Sequence, residues 1–255
     1  MSNSEISHAS LDREHHDITA AHYDELILAP RAVMSERLFS VANARLPRAG
    51  RLLDLGAGTG QMTMRFGDRF DHVTVVDHSA GMLSQAKINV TNCRLLRATQ
   101  CEFVTADAFE YLERDVGFFD AITCVGFLHH LEPAALSHLL SKCAERLADN
   151  GRMVIAEPVS TTTPTPRAIA FWNRPTEAKF RRYVELAPTP DEAPVPRQTL
   201  LHAIQDAGLR VSYERSAWEI FTRYEGNWID RIAIAVMDRI WGRSGYVWTA
   251  ILKKT

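Results

Sequence analysis

Apolar residues fall along this 255-residue chain in two alternating textures. Short runs apolar at nearly every position, RLLDL (51–55), HVTVVD (72–77), CEFVTAD (101–107), FFDAITCV (118–125) and GRMVIAEP (151–158), alternate with stretches of helical spacing at 61–66, 80–90 and 134–148. A run with no polar face belongs to a strand covered on both sides. Alternation of such strands with helical segments predicts parallel strands joined by crossover helices. Two further strand patterns, 210–218 and 246–252, bring the expected count to seven. The fold expected is α/β, a doubly wound, mostly parallel, seven-stranded sheet with helices on both faces.

Ahead of the first strand, apolar positions from Asp12 to Leu46 recur at helical spacing, with Pro30 placed to start a helix. Two helices are expected there, as an N-terminal helical cap over 1–47 before the main domain, 48–255. Beyond Pro158 the stretches TTTPTP and APTPDEAPVP break helix and central strand alike, and they bracket a helical segment from Arg167 to Leu186. Residues 196–207 read as the next crossover helix, ended by Gly208. Residues 227–241 place Ile229, Ile232, Val236, Met237, Ile240 and Trp241 on one helical face. Lid insertions are expected at 159–196 and 220–243, the second packing inward; a solvated basic helix face is the alternative for the first, and a dimer contact or membrane-surface helix for the second.

Composition narrows the partners. With 46% hydrophobic and 24% charged residues the chain lies within the globular range, and its length suits one core. A net charge of -2 and the lack of a basic stripe argue against a nucleic acid partner. Cys93, Cys101, Cys124 and Cys143 show no CxxC spacing, which fits reduced thiols and a cytoplasmic setting. The segment MSNSEISHASLDREHHD has no apolar stretch for export or membrane insertion, and no integral membrane segment is expected. His8, His15, His16 and His22 lack a fixed ligand frame, so they read as surface or cap residues and no metal is expected.

One turn carries the first sign of chemistry. LLDLGAGTG sets Gly56, Gly58 and Gly60 directly after a buried strand, where the backbone must turn sharply and approach a ligand without a Cβ in the way. A dinucleotide site asks for GxGxxG, but the last position of that spacing is Gln61, and the turn reads GxGxG. A nicotinamide oxidoreductase is disfavoured. Asp77 ends the second strand 23 residues after Asp54, close to the spacing at which a carboxylate accepts both ribose hydroxyls. A helix N-cap is the competing role for Asp77; Ser79 is itself available as that cap.

Taken in order, DLGAGTG, the acidic end of HVTVVDHS, the acidic residue of VTADAFEYL, and the pair DAITCVGFLHHL and LADNGRMVIAEP resemble the motif series of class I (Rossmann-like) S-adenosylmethionine-dependent methyltransferases of small molecules. The resemblance covers 51–158 and implies S-adenosyl-L-methionine as cofactor. Carried over by position, Asp54, Gly56, Gly58 and Gly60 would surround its methionine part, Asp54 helping to hold the amino group, and Asp77 would take the ribose. His78 and Met82 would pack on the adenine, Asp107 would accept the adenine amino group, Ala108 would offer a backbone contact and Phe109 a packing face. Tyr23, in AHYDEL, is similar to an N-terminal tyrosine that closes over the cofactor in many small-molecule members; an ordinary core tyrosine is the alternative.

The fourth strand ends in CVGFLHHL, at the edge where open α/β sheets place reacting groups, so Cys124, Phe127, His129 and His130 are expected at the crevice or its rim. Methyl transfer is an in-line displacement, and alignment of the nucleophile is the protein's first contribution. An alcohol or phenol also gains from a base, for which a histidine contributes about 100- to 10,000-fold. His129 is the first candidate base and His130 the second; in the competing reading one histidine bonds the backbone and the other covers the cofactor. Glu157 reads as orienting a substrate polar group or capping a helix. The acceptor expected is a small organic molecule, methylated at oxygen or nitrogen, and the chain a monomer or homodimer. A non-catalytic S-adenosylmethionine-binding subunit of the same fold is the rival.

Overall fold

The computed structural model of the chain describes residues 8–29, 32–93, 100–160, 178–187, 193–217, 232, 236 and 247–255. Its strands are β1 (Arg51–Leu55), β2 (His72–Asp77), β3 (Cys101–Thr105), β4 (Phe119–Val125), β5 (Leu147–Ser160), β6 (Val195–Pro196), β7 (Leu209–Ala217) and β8 (Val247–Lys254). They form one sheet in the order β3-β2-β1-β4-β5-β8-β7, with β6 paired off that path to β5. The pairs β1–β2, β2–β3, β1–β4 and β4–β5 are parallel, whereas β8 runs antiparallel to both β5 and β7. The mostly parallel sheet is as expected; among the described residues the strand count is eight instead of seven, because the two-residue β6 adds a short bridge.

Helices α3 (Gln61–Phe66), α4 (Ala80–Asn92), α5 (Ala108–Glu113) and α6 (Pro133–Arg146) follow β1 to β4 in turn as crossovers. Leu52 and Leu53, both fully buried, belong to separate core clusters, as alternation along a strand requires. Leu53 joins Ile122, Leu139 and Trp248, while Leu52 joins Phe66, Val73 and Val154. Truncating either leucine to alanine should cost about 2–5 kcal/mol, so the strand carrying the glycine turn is firmly set.

Two boundaries differ from expectation for physical reasons. β3 stops at Thr105, since Asp107 turns away to cap α5, its Oδ1 accepting from Phe109 N at 2.8 Å and Glu110 N at 3.3 Å. β3 is also only partly covered, being a sheet edge. α6 ends at Arg146 rather than Ala148, and the buried Leu147 already pairs with Phe119 before a register shift brings Arg152 opposite Ala121.

The N-terminal segment contains two helices, α1 (His8–Tyr23) and α2 (Ala32–Asn43), joined by a π-helical turn at Asp24–Leu28; Pro30 lies outside the described residues. α2 sets Phe39 edge-on against Phe66 at 5.9 Å. Most of 159–196 and 220–243 also lies outside the described residues. Within the first stretch the helix Ala178–Leu186 packs Tyr183 onto Leu26 and Ile27. Within the second, Ile232 and Val236 are exposed (54% and 49%) instead of packed inward. Among the described residues no helix is long and apolar enough to cross a membrane.

Candidate active site

The carboxyl ends of β1, β2 and β4 open into a cavity of about 320 Å³, which α1 borders from the other side with Asp12, His16 and Tyr23. At its floor lies the glycine turn. Gly56 and Gly58 have φ of +63° and +54°, a region costly for any residue with a side chain. A Cβ on Gly56 would lie 2.5 Å from the Phe127 ring, whereas one on Gly58 would meet no protein atom within 4 Å. Gly58 therefore leaves room on the cavity side for a ligand to approach its backbone.

Asp77 supports that turn. Its Oδ2 accepts from Gly58 N at 2.8 Å and its Oδ1 from Ser79 N at 2.9 Å. Ser79, not Asp77, caps α4, its Oγ accepting from Met82 N at 3.0 Å. A carboxylate has about four acceptor sites, so two remain for a diol. Asp54 is committed differently: it borders the cavity, yet it is 2% exposed, and Oδ2 takes Thr63 N (3.0 Å) and Thr63 Oγ1 (2.7 Å) while Oδ1 takes Thr123 Oγ1 (2.7 Å). Burial pushes its carboxyl up to about 6 despite the hydrogen bonds from Thr63 and Thr123. It ties the turn to α3 and β4.

Gly60, Met82, His78, Asp107, Ala108 and Phe109 complete the floor region; all but Gly60 line the cavity, and Gly60 forms the left-handed start of α3. Phe109 is fixed by a ring stack on His138, centroids 5.4 Å apart at 18°. Cys124 requires a correction. It is fully buried among core residues beside Cys143, which together with burial pushes its thiol up, and it is absent from the cavity wall. Strand alternation turns Val125 to the cavity and Cys124 away from it.

At the rim, His129 and His130 both line the cavity, but with different partners. His129 Nδ1 lies 2.9 Å from Glu157 Oε2, while Glu157 Oε1 accepts from Phe127 N (3.0 Å) and Leu128 N (2.9 Å). Glu157 is fully buried. It orients His129 and the turn beneath it, rather than a substrate group or a regular helix. His130 Nδ1 faces Asp12 Oδ1 of α1 at 3.1 Å.

Residues 52–151 match the family model described as a methyltransferase domain. Those residues form a methyltransferase domain. The chain is 33% identical over 139 residues to a malonyl-[acyl-carrier protein] O-methyltransferase of Geobacter sulfurreducens, covering 54% of this chain and 49% of that protein. A demethylmenaquinone methyltransferase of Beutenbergia cavernae is 28% identical over 251 residues, 93% of this chain and 88% of that protein. The chain spans about half the length of the curated relatives it matches first. The solved structure of a DhpI–SAH complex superposes with a TM-score of 0.65 over 97% of both chains at 14% identity, which establishes the fold.

Several contributors escape a reading of the sequence. Gly126 lines the cavity at φ +64°, and its only signal was its place after the fourth strand. Tyr23, which was expected, does face the cavity and meets Tyr183 at 5.9 Å. The acidic residues around it were not expected. Asp24 accepts from Thr59 Oγ1 and from Asn89 Nδ2 (2.7 Å), and Asp17 Oδ1 accepts from Ser79 Oγ (2.6 Å) and Gly81 N (2.9 Å). These bonds bring the α1 segment down onto the methyltransferase domain.

Proposed function

We propose that the chain transfers a methyl group from S-adenosylmethionine to an oxygen of a small organic molecule. One observation carries the reading: a histidine on the cavity rim, His129, is held by a buried carboxylate, Glu157, across from the glycine turn. The residues present fit the cofactor, because Gly58 leaves a space that a Cβ would enter and Asp77 keeps acceptor capacity at the same edge. Gly56 and Gly58 would hold its methionine part, with Gly60 only setting the turn beneath them, and Asp77 its ribose. His78, Met82, Asp107, Ala108 and Phe109 would hold its adenine, and Tyr23 would cover it. When bound, the cofactor supplies an electrophilic methyl group on a sulfonium.

The protein's own contribution is to handle the proton. An ionised carboxylate only accepts, so Glu157 takes the Nδ1–H of His129 and makes Nε2 the basic nitrogen. His129 then accepts the proton of an acceptor hydroxyl, a group that needs deprotonation more than a neutral amine does. The Geobacter relative is an O-methyltransferase by name. Support for a small acceptor in place of nucleic acid comes from the size of the cavity, about 320 Å³, and the net charge of -2. The four free cysteines support a cytoplasmic setting.

The test incubates the chain with methyl-labelled S-adenosylmethionine and a small-metabolite fraction and seeks a product heavier by one CH2. Once the acceptor is found, His129→Ala should lower kcat by about 100-fold or more, with calorimetric cofactor affinity changed little. Cofactor binding without any methylated product would leave a binding subunit of this fold. An unchanged kcat in His129→Ala would remove the base.

A further inference from the structure

Where α1 crosses the ends of β2 and β4, three imidazoles converge on one carboxylate. Asp12, 4% exposed, has Oδ1 3.1 Å from His130 Nδ1 and Oδ2 3.4 Å from His78 Nε2. His16, one turn along α1, places its Nδ1 3.4 Å from Asp12 Oδ1 and 2.9 Å from the Asp12 carbonyl oxygen. One candidate ligand atom from each of Asp12, His16 and His78 lies within 4.8 Å of the others. The His16 ring meets those of His130 and His78 at centroid distances of 5.6 and 6.3 Å. Apart from the adenine packing given to His78 and the second-choice base role given to His130, methyl transfer assigns this cluster no task.

We propose that Asp12, His16 and His78, with His130 beside them, form a binding site for a transition-metal dication of the zinc type, which clamps α1 onto the ends of β2 and β4.

Spacing supports a metal over a simple ion-pair latch. Charge-assisted N–H···O bonds run at about 2.7–2.9 Å, shorter than the His130 and His78 approaches to Asp12. Ligand atoms at about 2.0–2.1 Å from a tetrahedral zinc are about 3.3 Å from one another, which those two approaches bracket. The contact from His16 Nδ1 to a backbone carbonyl is the kind that orients a histidine to ligate through its other nitrogen.

Chemistry and charge point the same way. Imidazole with a single carboxylate suits zinc and its neighbours, whereas magnesium and calcium want mainly oxygen ligands. A bound dication would balance the charge of the Asp12 carboxylate. The ligands come from positions 12, 16, 78 and 130, so binding would tie two turns of the sheet to the first helix.

The experiment uses the full chain freed of metal by a chelator and titrated with Zn2+ in a calorimeter, with Co2+ as a spectroscopic probe. One equivalent of Zn2+ should bind, and Co2+ should give the intense visible bands of tetrahedral coordination. His16→Ala and His78→Ala should each weaken Zn2+ binding by at least about tenfold, while His72→Ala, exposed at the opposite end of β2, should bind as wild type does. Circular dichroism checks the fold of each variant, and His78→Ala stands in if His16→Ala does not fold. Zn2+ should also raise the melting temperature of wild type and His72→Ala only. No stoichiometric uptake, or uptake unchanged in both ligand variants, would overturn the proposal and leave a hydrogen-bonded latch. Cofactor binding is a separate measurement, so this result stands apart from the methyl-transfer reading.

Discussion

The floor of the cavity and its helical cover are held in opposite ways. On the floor, Asp54, Asp77 and Glu157 stand near the carboxyl ends of their strands, and each accepts backbone N–H groups of an adjoining turn or helix: Thr63, then Gly58 and Ser79, then Phe127 and Leu128. On the cover, Asp12, Asp17 and Asp24 reach across to elements distant in sequence, mainly to side chains. The floor carboxylates complete the strand ends, so their geometry comes with the sheet. The cover is tied across mainly by a few polar bonds worth about 1.5–3 kcal/mol each, so it is the part able to open while the floor stays formed. Ligand entry under α1 requires that difference.

Removing one carboxylate from each side tests this difference most directly. Asp77→Ala should weaken binding of the demethylated cofactor product about 10- to 100-fold in calorimetry, since bonds to a charged group are worth about 1.5–3 kcal/mol. It should also destabilise the fold, because the N–H groups of Gly58 and Ser79 lose their acceptor. Asp17→Ala should change that affinity several-fold less. Equal losses would mean that floor and cover form a single binding unit.

A smaller effect is expected at the seam. A Cβ on Gly81 would come within 2.7 Å of the Asp17 carbonyl oxygen and 2.9 Å of its Cα, so α1 rests directly on this glycine. Gly81→Val should cost about 1–3 kcal/mol by overpacking and release α1. Hydrogen exchange would read it: protection should fall in α1 and persist in β1, β2 and β4. A uniform fall across the sheet would show the cover to be cooperative with the core.

The same contrast governs what could be read from the sequence. The floor is legible because each part is local: an apolar strand, a glycine turn, an acidic strand end and a serine cap sit within a few residues of one another. Asp107 shows the limit of that reading, since a family role and a helix cap use the same short spacing. Cys124 shows another, for a shift of one residue along a strand exchanges core for cavity. Glu157 was noticed, but its partnership with His129 depends on the β4–β5 register, Val125 opposite Ala156, which no local pattern states. The cover is least legible. Asp12 and His16 look like ordinary helix-surface spacing, and their partners lie 62 or more residues away at His78 and His130.

The smallest effect, at Asp54, asks whether the floor carries strain of its own. Burial pushes this carboxyl from the ordinary 3.8 up to about 6, more than the hydrogen bonds from Thr63 and Thr123 offset, with the nearby Asp77 charge adding to the rise. Between those values the folded chain holds the Asp54 proton more firmly than the unfolded chain does. The resulting stability is fully present below about 3.8 and is lost as pH rises through about 6. From pH 7 down to pH 5 the gain should be about 1 kcal/mol, taking roughly 1.4 kcal/mol per pKa unit. Asp12 works in the opposite sense, its contribution fading only below the ordinary carboxylate range, outside this window. Histidines titrate within it, so the readout is the difference between wild type and Asp54→Asn, by urea unfolding at pH 7 and pH 5. Wild type should gain about 1 kcal/mol relative to Asp54→Asn on acidification. A difference that stays constant would mean that the two threonines fully compensate the burial of Asp54.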